Sequence, residues 1–97
     1  MRQSSIININ RMKELEKILK ALANKRRLAI LKYLKAAKEA SVGDIAEEIN
    51  LSLKSTSRHL GVLATADILD KEQRSLQVFY RLAVSPKLIV KQLLAIL

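Results

Sequence analysis

Two short segments that meet at residues 50–52 constrain the fold of this chain more than any other feature. The first begins at Ser41 and ends near Asn50, and the second begins at Ser52 and reaches about residue 66. Serine is a favoured residue at helix starts, and Asn suits a helix end. Helices this short are stable only when their apolar faces pack against neighbours. The spacing therefore predicts a helix-turn-helix over residues 41–66.

Apolar residues at three- and four-residue steps predict further helices on both sides of this motif. The first covers residues 10–22, and the second runs from Asn24, its N-cap, to about Lys38. Pro86 opens a last helix that reaches Leu97, since proline suits the first helical turn. In the first helix the apolar residues Met12, Leu15, Ile18, Leu19 and Leu22 share one face. The inward positions predicted for the next three helices are Leu28, Ile30, Leu31, Leu34, Ile45, Ala46, Ile49, Leu53, Leu60 and Leu63.

The hydrophobic period changes after the fourth helix. In residues 76–82 the side chains alternate with a period of two, as in a half-buried strand. Residues 68–71 form another strand-like run, and the polar residues 72–75 lie between the two. A hairpin is therefore predicted in the wing region, residues 67–82. The predicted fold is mainly α with a small β-hairpin: a single winged helix-turn-helix domain over residues 1–97, with five helices and a two- to three-stranded wing sheet.

Composition excludes several classes of function. The 97 residues are 49% apolar, with only three aromatic residues and no cysteine, so the core is aliphatic and no thiolate site exists. A single histidine does not supply the three or four ligands of a zinc site, so we expect no metal and no cofactor. Without a Gly-rich phosphate loop, a second His or a Cys nucleophile, we expect no catalytic residues and no enzyme. No signal-peptide core or membrane-length apolar run is present, which indicates a cytoplasmic protein that does not insert into a membrane.

Charge points towards a polyanionic partner. The net charge is +9, and residues 1–38 hold eleven Lys or Arg but only two Glu. Residues 39–49 carry four acidic residues and no base. A basic surface attracts nucleic acid through electrostatic steering and counterion release. Judged by charge alone, a membrane surface or an acidic protein partner is equally compatible with this chain.

The fourth helix begins with a run of hydroxyl side chains at residues 52–60 that includes two cations and no acid. Ser and Thr are mediocre helix formers, so four of them within two turns do little for stability alone. Short hydroxyls and Arg58 are suited to base edges, and a helix N-terminus suits phosphate. An ordinary capped surface helix is the alternative. The position of the fourth helix, after a short helix and before a basic hairpin, favours DNA binding.

Three segments together resemble the ArsR-type (arsenical-resistance-repressor) winged helix-turn-helix regulators. Residues 21–31 (ALANKRRLAIL) resemble the opening segment of that family, typically LA-x-x-x-R-x-x-IL. Residues 57–63 (SRHLGVL) resemble its recognition helix, and residues 79–82 (FYRL) its second wing strand. The resemblance covers about two-thirds of the chain, from Leu19 to Leu82.

This resemblance implies the residues that meet DNA. The recognition helix would place six side chains at the major groove, and the wing would place four at phosphate or the adjacent minor groove. These residues are Lys54, Ser55, Thr56, Ser57, Arg58 and His59 in the helix and Lys71, Gln73, Arg74 and Ser75 in the wing. Two residues depart from expectation: Asp67 stands where the family usually has Gly, and Gly61 interrupts a helix at a cost of about 1 kcal/mol relative to Ala.

The last helix carries an apolar arc too wide for one small domain to cover. Packing against a second copy is the simplest solution, and in the family that the chain resembles the two terminal helices, here residues 10–22 and 86–97, form a dimer. The predicted interface contains Met12, Leu15, Leu19, Ile89, Val90, Leu93, Leu94 and Leu97. The chain is therefore expected to act as a homodimeric repressor on a pseudo-palindromic operator in double-stranded DNA, with any small-molecule effector left open. The alternative is an interaction module, such as an antitoxin or adaptor, whose last helix binds a different protein.

Overall fold

The computed structural model describes residues 6–97, so residues 1–5 of the predicted domain lie outside it. The described chain forms five helices and one three-stranded antiparallel sheet with strand order β1-β3-β2. The elements, in order, are α1 (Ile9–Leu22), α2 (Lys25–Ala37), β1 (Ala40–Ser41), α3 (Val42–Ile49), α4 (Leu53–Thr65), β2 (Leu69–Arg74), β3 (Gln77–Leu82) and α5 (Leu88–Ile96). This architecture confirms the predicted fold class, with β1 as the third strand of the wing sheet.

Side-chain caps set the starts of the central helices, as predicted. The Asn24 carboxamide oxygen accepts from the amides of Arg26 and Arg27 at the start of α2. Ser41 and Ser52 cap α3 and α4 in the same way. Asn50 ends α3 in the left-handed region, at φ 54°. This conformation, which Asn tolerates, turns the chain directly into the next cap and so fixes the tight link between the two helices.

An aliphatic core surrounds α2. The fully buried side chains of α2 are Ile30, Leu31 and Leu34, and those of α3 and α4 include Ile45, Leu60 and Leu63. The prediction that Leu53 lies in the core is wrong, since it is 60% exposed. Leu53 is the first residue of α4, and its side chain borders a surface groove between α4 and the wing, so it does not reach α2.

The wing is a two-residue hairpin. Strands β2 and β3 pair from Leu69 opposite Leu82 to Arg74 opposite Gln77. The predicted alternation holds within β3, where Tyr80 is buried, but Leu76 lies in the turn and is 96% exposed. The strand therefore begins one residue later than predicted. Asp67 adopts φ 59° before β2, which shows that Asp serves at this turn where the family usually has Gly.

The last helix starts later than predicted. Lys87 is the N-cap of α5, so Pro86 precedes the helix instead of opening it. The Lys87 ammonium forms an ion pair with Glu14 of α1 at 2.8 Å, which links the two terminal helices. Within residues 6–97, no helix is both long enough and apolar enough to cross a membrane.

Candidate nucleic-acid interface

The exposed face of α4 presents cations and hydroxyls from a capped helix end. The Ser52 hydroxyl oxygen accepts from the Ser55 amide at 3.1 Å, which anchors the first turn. Lys54, Ser57 and Arg58 are exposed, and Ser55 is half-buried. No acidic residue lies in α4, so its first two turns form an electropositive, donor-rich edge. Such an edge is suited to the acceptors of a DNA major groove.

Thr56 is the exception among the predicted contacts. Its side chain is 0% exposed and belongs to the buried side of α4, so the prediction that it meets DNA is wrong. Its hydroxyl has no hydrogen-bond partner among the described residues. A buried hydroxyl without a partner lowers the stability of a fold. The methyl group of Thr56 therefore favours the folded state by packing, whereas its hydroxyl oxygen disfavours it.

His59 is half-buried and held by an arginine of α2. Arg27 Nη1 lies 3.1 Å from His59 Nδ1. Because a guanidinium only donates, Nδ1 must accept, which leaves the imidazole proton on Nε2. Burial and the charges of Arg27, Arg58 and Arg26 lower the pKa of His59 below its usual value. At neutral pH His59 is therefore uncharged and offers one N–H donor.

Two arginines at the start of α2 fix the position of the helix-turn-helix. Arg27 also donates to the Ala21 carbonyl at 2.6 Å and the Lys20 carbonyl at 3.0 Å, at the end of α1. Arg26 donates to the Ile49 carbonyl at 3.2 Å, at the end of α3. Neither set of contacts follows from local spacing, although Arg27 matches the arginine of the family pattern. That match was the available signal.

The predicted wing residues lie at the end of the hairpin but differ in availability. Lys71, Gln73 and Ser75 are exposed, and Ser75 occupies the turn at φ 57°. Gln73 Nε2 donates weakly to the Ser75 carbonyl at 3.4 Å. The wing has two predicted cationic contacts, and they differ. Lys71 has no ion-pair partner among residues 6–97, whereas Arg74 is paired within the sheet.

Arg74 forms a bidentate pair with Glu39, with nitrogen–oxygen distances of 2.6 and 2.7 Å. It also contacts Glu72 at 3.0 Å and lies over the Phe79 ring, 4.6 Å from the centroid. These contacts lower the pKa of the Glu39 and Glu72 carboxyls and raise that of Arg74. Arg74 therefore stiffens the wing, a role that the local sequence does not reveal.

The sheet register explains why Glu39 reaches the wing. Ala40 pairs with Tyr80, so the preceding residue, Glu39, stands opposite Arg81. Arg81 Nη1 lies 3.7 Å from Glu39 and 3.2 Å from Glu72. Two arginines and two carboxylates thus neutralise one another at the sheet surface. The sequence indicated only an acidic stretch, because Glu39 and Arg74 are 35 positions apart.

The predicted dimer residues form an apolar surface on α1 and α5. Met12, Leu15 and Ile89 line one groove between these helices, and Leu19 continues the exposed apolar face of α1. The remaining members differ in burial: Leu93, Leu94 and Leu97 are half-buried against the core. Val90 is 2% exposed, so the prediction that it contacts a second copy is wrong. It faces inward because the covered side of α5 packs on its own domain.

No group of three or more His, Asp or Glu side chains that could hold a metal ion occurs in the part of the chain that the structure describes.

Sequence comparisons identify DNA-regulatory relatives. A family model described as a helix-turn-helix domain matches residues 22–72. The chain is 34% identical over 65 residues to the transcriptional repressor SdpR of Bacillus subtilis, covering 67% of this chain and 71% of that protein. It is 38% identical over 73 residues to a biofilm growth-associated repressor of Agrobacterium fabrum, covering 75% of this chain. That match spans 62% of the Agrobacterium protein, so this chain corresponds to part of its length.

A solved structure shares the complete architecture. It is the homodimeric winged helix-turn-helix DNA-binding domain of Mb0332 from Mycobacterium bovis, a possible ArsR-family transcriptional regulator. The TM-score is 0.80 at 29% identity, and the superposition covers 99% of this chain and 85% of that chain.

Replacing Thr56 with valine tests its placement in the core. Removing the unpartnered buried hydroxyl at constant shape should raise the free energy of unfolding by about 1 kcal/mol. DNA affinity should change less than about twofold, since the side chain is not accessible. Urea unfolding and duplex-DNA titration measure the two quantities. The control is the exposed neighbour variant Ser57→Ala, for which we expect weaker DNA binding at nearly unchanged stability; the same result for Thr56→Val would contradict the assignment.

Replacing Glu39 with glutamine tests the neutralisation of Arg74. The change removes the bidentate partner of Arg74 and leaves its contact with Glu72, so the guanidinium becomes more available to phosphate and DNA affinity should rise. The slope of log affinity against log salt should steepen by about one unit, the value for one added phosphate contact. The control variant Glu47→Gln changes the net charge equally on α3, away from any ion pair within residues 6–97. Equal slopes for the two variants would show that Arg74 does not reach DNA.

Proposed function

Because the chain belongs to the ArsR-type winged helix-turn-helix transcriptional regulators, we propose that it binds a pseudo-palindromic operator in double-stranded DNA as a homodimer and represses transcription. The observation that carries this proposal is the acid-free face of α4, with Lys54, Ser57 and Arg58 exposed on a helix that Arg27 of α2 contacts through His59. The role is binding rather than catalysis, and it is exercised in the cytoplasm.

The proposed DNA contact of each side chain follows from its exposure and its ion pairs. Lys54, Ser55, Ser57 and Arg58 would contact the major groove, together with the Nε2–H of His59. Lys71, Gln73 and Ser75 would contact the backbone beside it. Arg74 joins them only after phosphate displaces Glu39, since a guanidinium binds both anions by the same bidentate geometry.

The proposed dimer follows from the apolar surface of the terminal helices. Leu15, Leu19 and Leu88 are exposed on α1 and α5, where a monomer would leave them in water. A two-fold axis through this surface would bring Met12, Leu15 and Leu19 of one copy against Ile89, Leu93, Leu94 and Leu97 of the other. Two recognition helices about 34 Å apart would then enter successive major grooves. The homodimeric state of the Mycobacterium bovis domain supports this arrangement.

Replacing Arg58 with alanine tests base recognition by α4. If Arg58 contacts a base, affinity for an operator selected from a random duplex pool should fall by about 1–3 kcal/mol. Affinity for unrelated duplex should fall much less. The control variant Lys13→Ala removes the same charge from an exposed position of α1. An equal loss on both DNAs would assign Arg58 to phosphate, and no loss would contradict the proposed role of α4.

Replacing Leu15 with glutamate tests the dimer and its link to DNA binding. Leu15 is already 37% exposed, so the isolated domain should stay folded. An unpaired carboxylate at the seam should cost about 3 kcal/mol and raise the dimer dissociation constant roughly 100-fold. Sedimentation at micromolar protein should show a monomer that no longer binds the full operator.

The control for the dimer test is Val84→Glu, which places the same charge at an exposed residue outside α1 and α5. It should remain dimeric. A wild-type protein that is monomeric and still binds the full palindrome tightly would contradict the dimer. Absence of any DNA preference, with a distinct protein bound to α5, would instead favour an adaptor or antitoxin.

A further inference from the structure

A cleft of about 500 Å³ lies between α1 and α4, apart from the apolar surface proposed for the dimer. Its α1 side is formed by Lys17, Lys20 and Ala21. At about 100° per residue, Lys17 lies roughly 160° around the helix from Leu15 and from Leu19. The Lys17 side of the cleft therefore faces away from the apolar face of α1, whereas Lys20 stands at the border between the two and also lines the groove of Met12, Leu15 and Leu19.

The floor of the cleft is apolar and has room for a ligand. Val62 is 38% exposed there, although it lies between core residues of α4. A Cβ atom at Gly61 would meet no atom within 4 Å among the described residues, so packing within the chain does not require glycine. Glycine in a helix lowers stability relative to alanine, and a common reason for it is close approach of a ligand to the backbone.

The rim of the cleft is cationic. Lys17, Lys20, Arg27 and Arg58 line it, and no acidic side chain does. Arg27 is held rigidly by its bonds to the end of α1 and to His59. Lys20 lies 3.9 Å from Glu16, a weak exposed pair that leaves its ammonium available. Lys17 and Arg58 have no ion-pair partner within residues 6–97.

This combination identifies the chemistry of the ligand. Small-molecule sites are concave, mainly apolar and supplied with a few polar groups that fix orientation. A phosphate group would use the rim and leave the floor wet, whereas a neutral hydrocarbon would use only the floor. An organic anion with an apolar body satisfies both parts.

We propose that the α1–α4 cleft is an effector site for a small amphipathic organic anion. Its apolar body lies on Gly61 and Val62, and its charged group contacts Lys17, Lys20 and Arg58. Because Arg58 is also a proposed DNA contact, an anion in the cleft withdraws this side chain and adds negative charge beside the phosphates. Occupancy and DNA binding are then mutually antagonistic. The coupling rests on the proposed function, whereas the ligand site does not.

The site is tested first without DNA, with octanoate as the probe. Titration followed by two-dimensional NMR should shift the Gly61 amide and the Val62 methyl resonances. Acetate, which lacks the apolar body, and octanol, which lacks the charge, should each bind at least about tenfold more weakly. Shifts centred on the apolar face of α1 and α5, or equal binding of octanol, would overturn the site.

Variants of the cleft give the same test a matched comparison. Lys17→Gln and Lys20→Gln should each weaken octanoate by up to about fivefold, as expected for an exposed ion pair. Lys13→Gln, with the same charge change outside the cleft, should have no effect. Gly61→Leu places a side chain in the open space and should abolish octanoate binding. A cooperative urea unfolding transition is the control that shows this variant is folded. Unchanged octanoate affinity in folded Gly61→Leu would overturn the site.

The coupling is tested on the selected operator. Octanoate should weaken DNA binding of the wild type, and the Lys17→Gln/Lys20→Gln double variant should resist this effect. If octanoate binds as predicted but operator affinity is unchanged, the antagonism is wrong. If the protein binds no DNA in any condition, the proposed function fails while the NMR result still decides the ligand site.

Discussion

Complete burial of the inner face of α2 is the constraint on which the rest of the structure depends. Ile30, Leu31 and Leu34 are removed from water entirely, and α1, α3, α4, α5 and β3 all pack against this helix. Tyr80 is the one aromatic side chain buried in this core, so aliphatic contacts supply most of the packing that holds it together. Truncation of one of these side chains would therefore loosen every element that carries a functional residue.

Hydrogen bonds from α2 orient α4 and the helices beside it. Apolar packing alone is non-directional, and it leaves the rotation and height of a surface helix weakly specified. Arg26 and Arg27 supply direction by donating to carbonyl groups at the ends of α3 and α1 and to the imidazole of His59. Burial, together with the nearby arginine charges, lowers the pKa of His59 and keeps it uncharged. The fold therefore determines both where the candidate DNA-binding face lies and which protonation state His59 presents.

Net charge alone gives an incomplete account of the binding surface. The chain carries a charge of +9, but Arg74 and Arg81 form ion pairs with Glu39 and Glu72 at the wing. Cations without such partners lie instead on α4 and along α1, where Lys17 and Arg58 border the cleft that we assign to an organic anion. Local pairing, rather than the total charge, decides which cations are available to a polyanion.

The sequence by itself determined the helices, their serine and asparagine caps, the hairpin and the exposed cations of α4, because each depends on neighbours within a few positions. The same reasoning failed where a residue's surroundings come from distant parts of the chain. Thr56 shares the hydroxyl run of α4 yet faces the core, and Val90 shares the apolar arc of α5 yet packs inside its own domain. Arg74 is paired because the sheet register brings Glu39 beside it. Only tertiary structure decides such cases, since helix rotation and strand register set which side chains meet, and neither is encoded in local spacing.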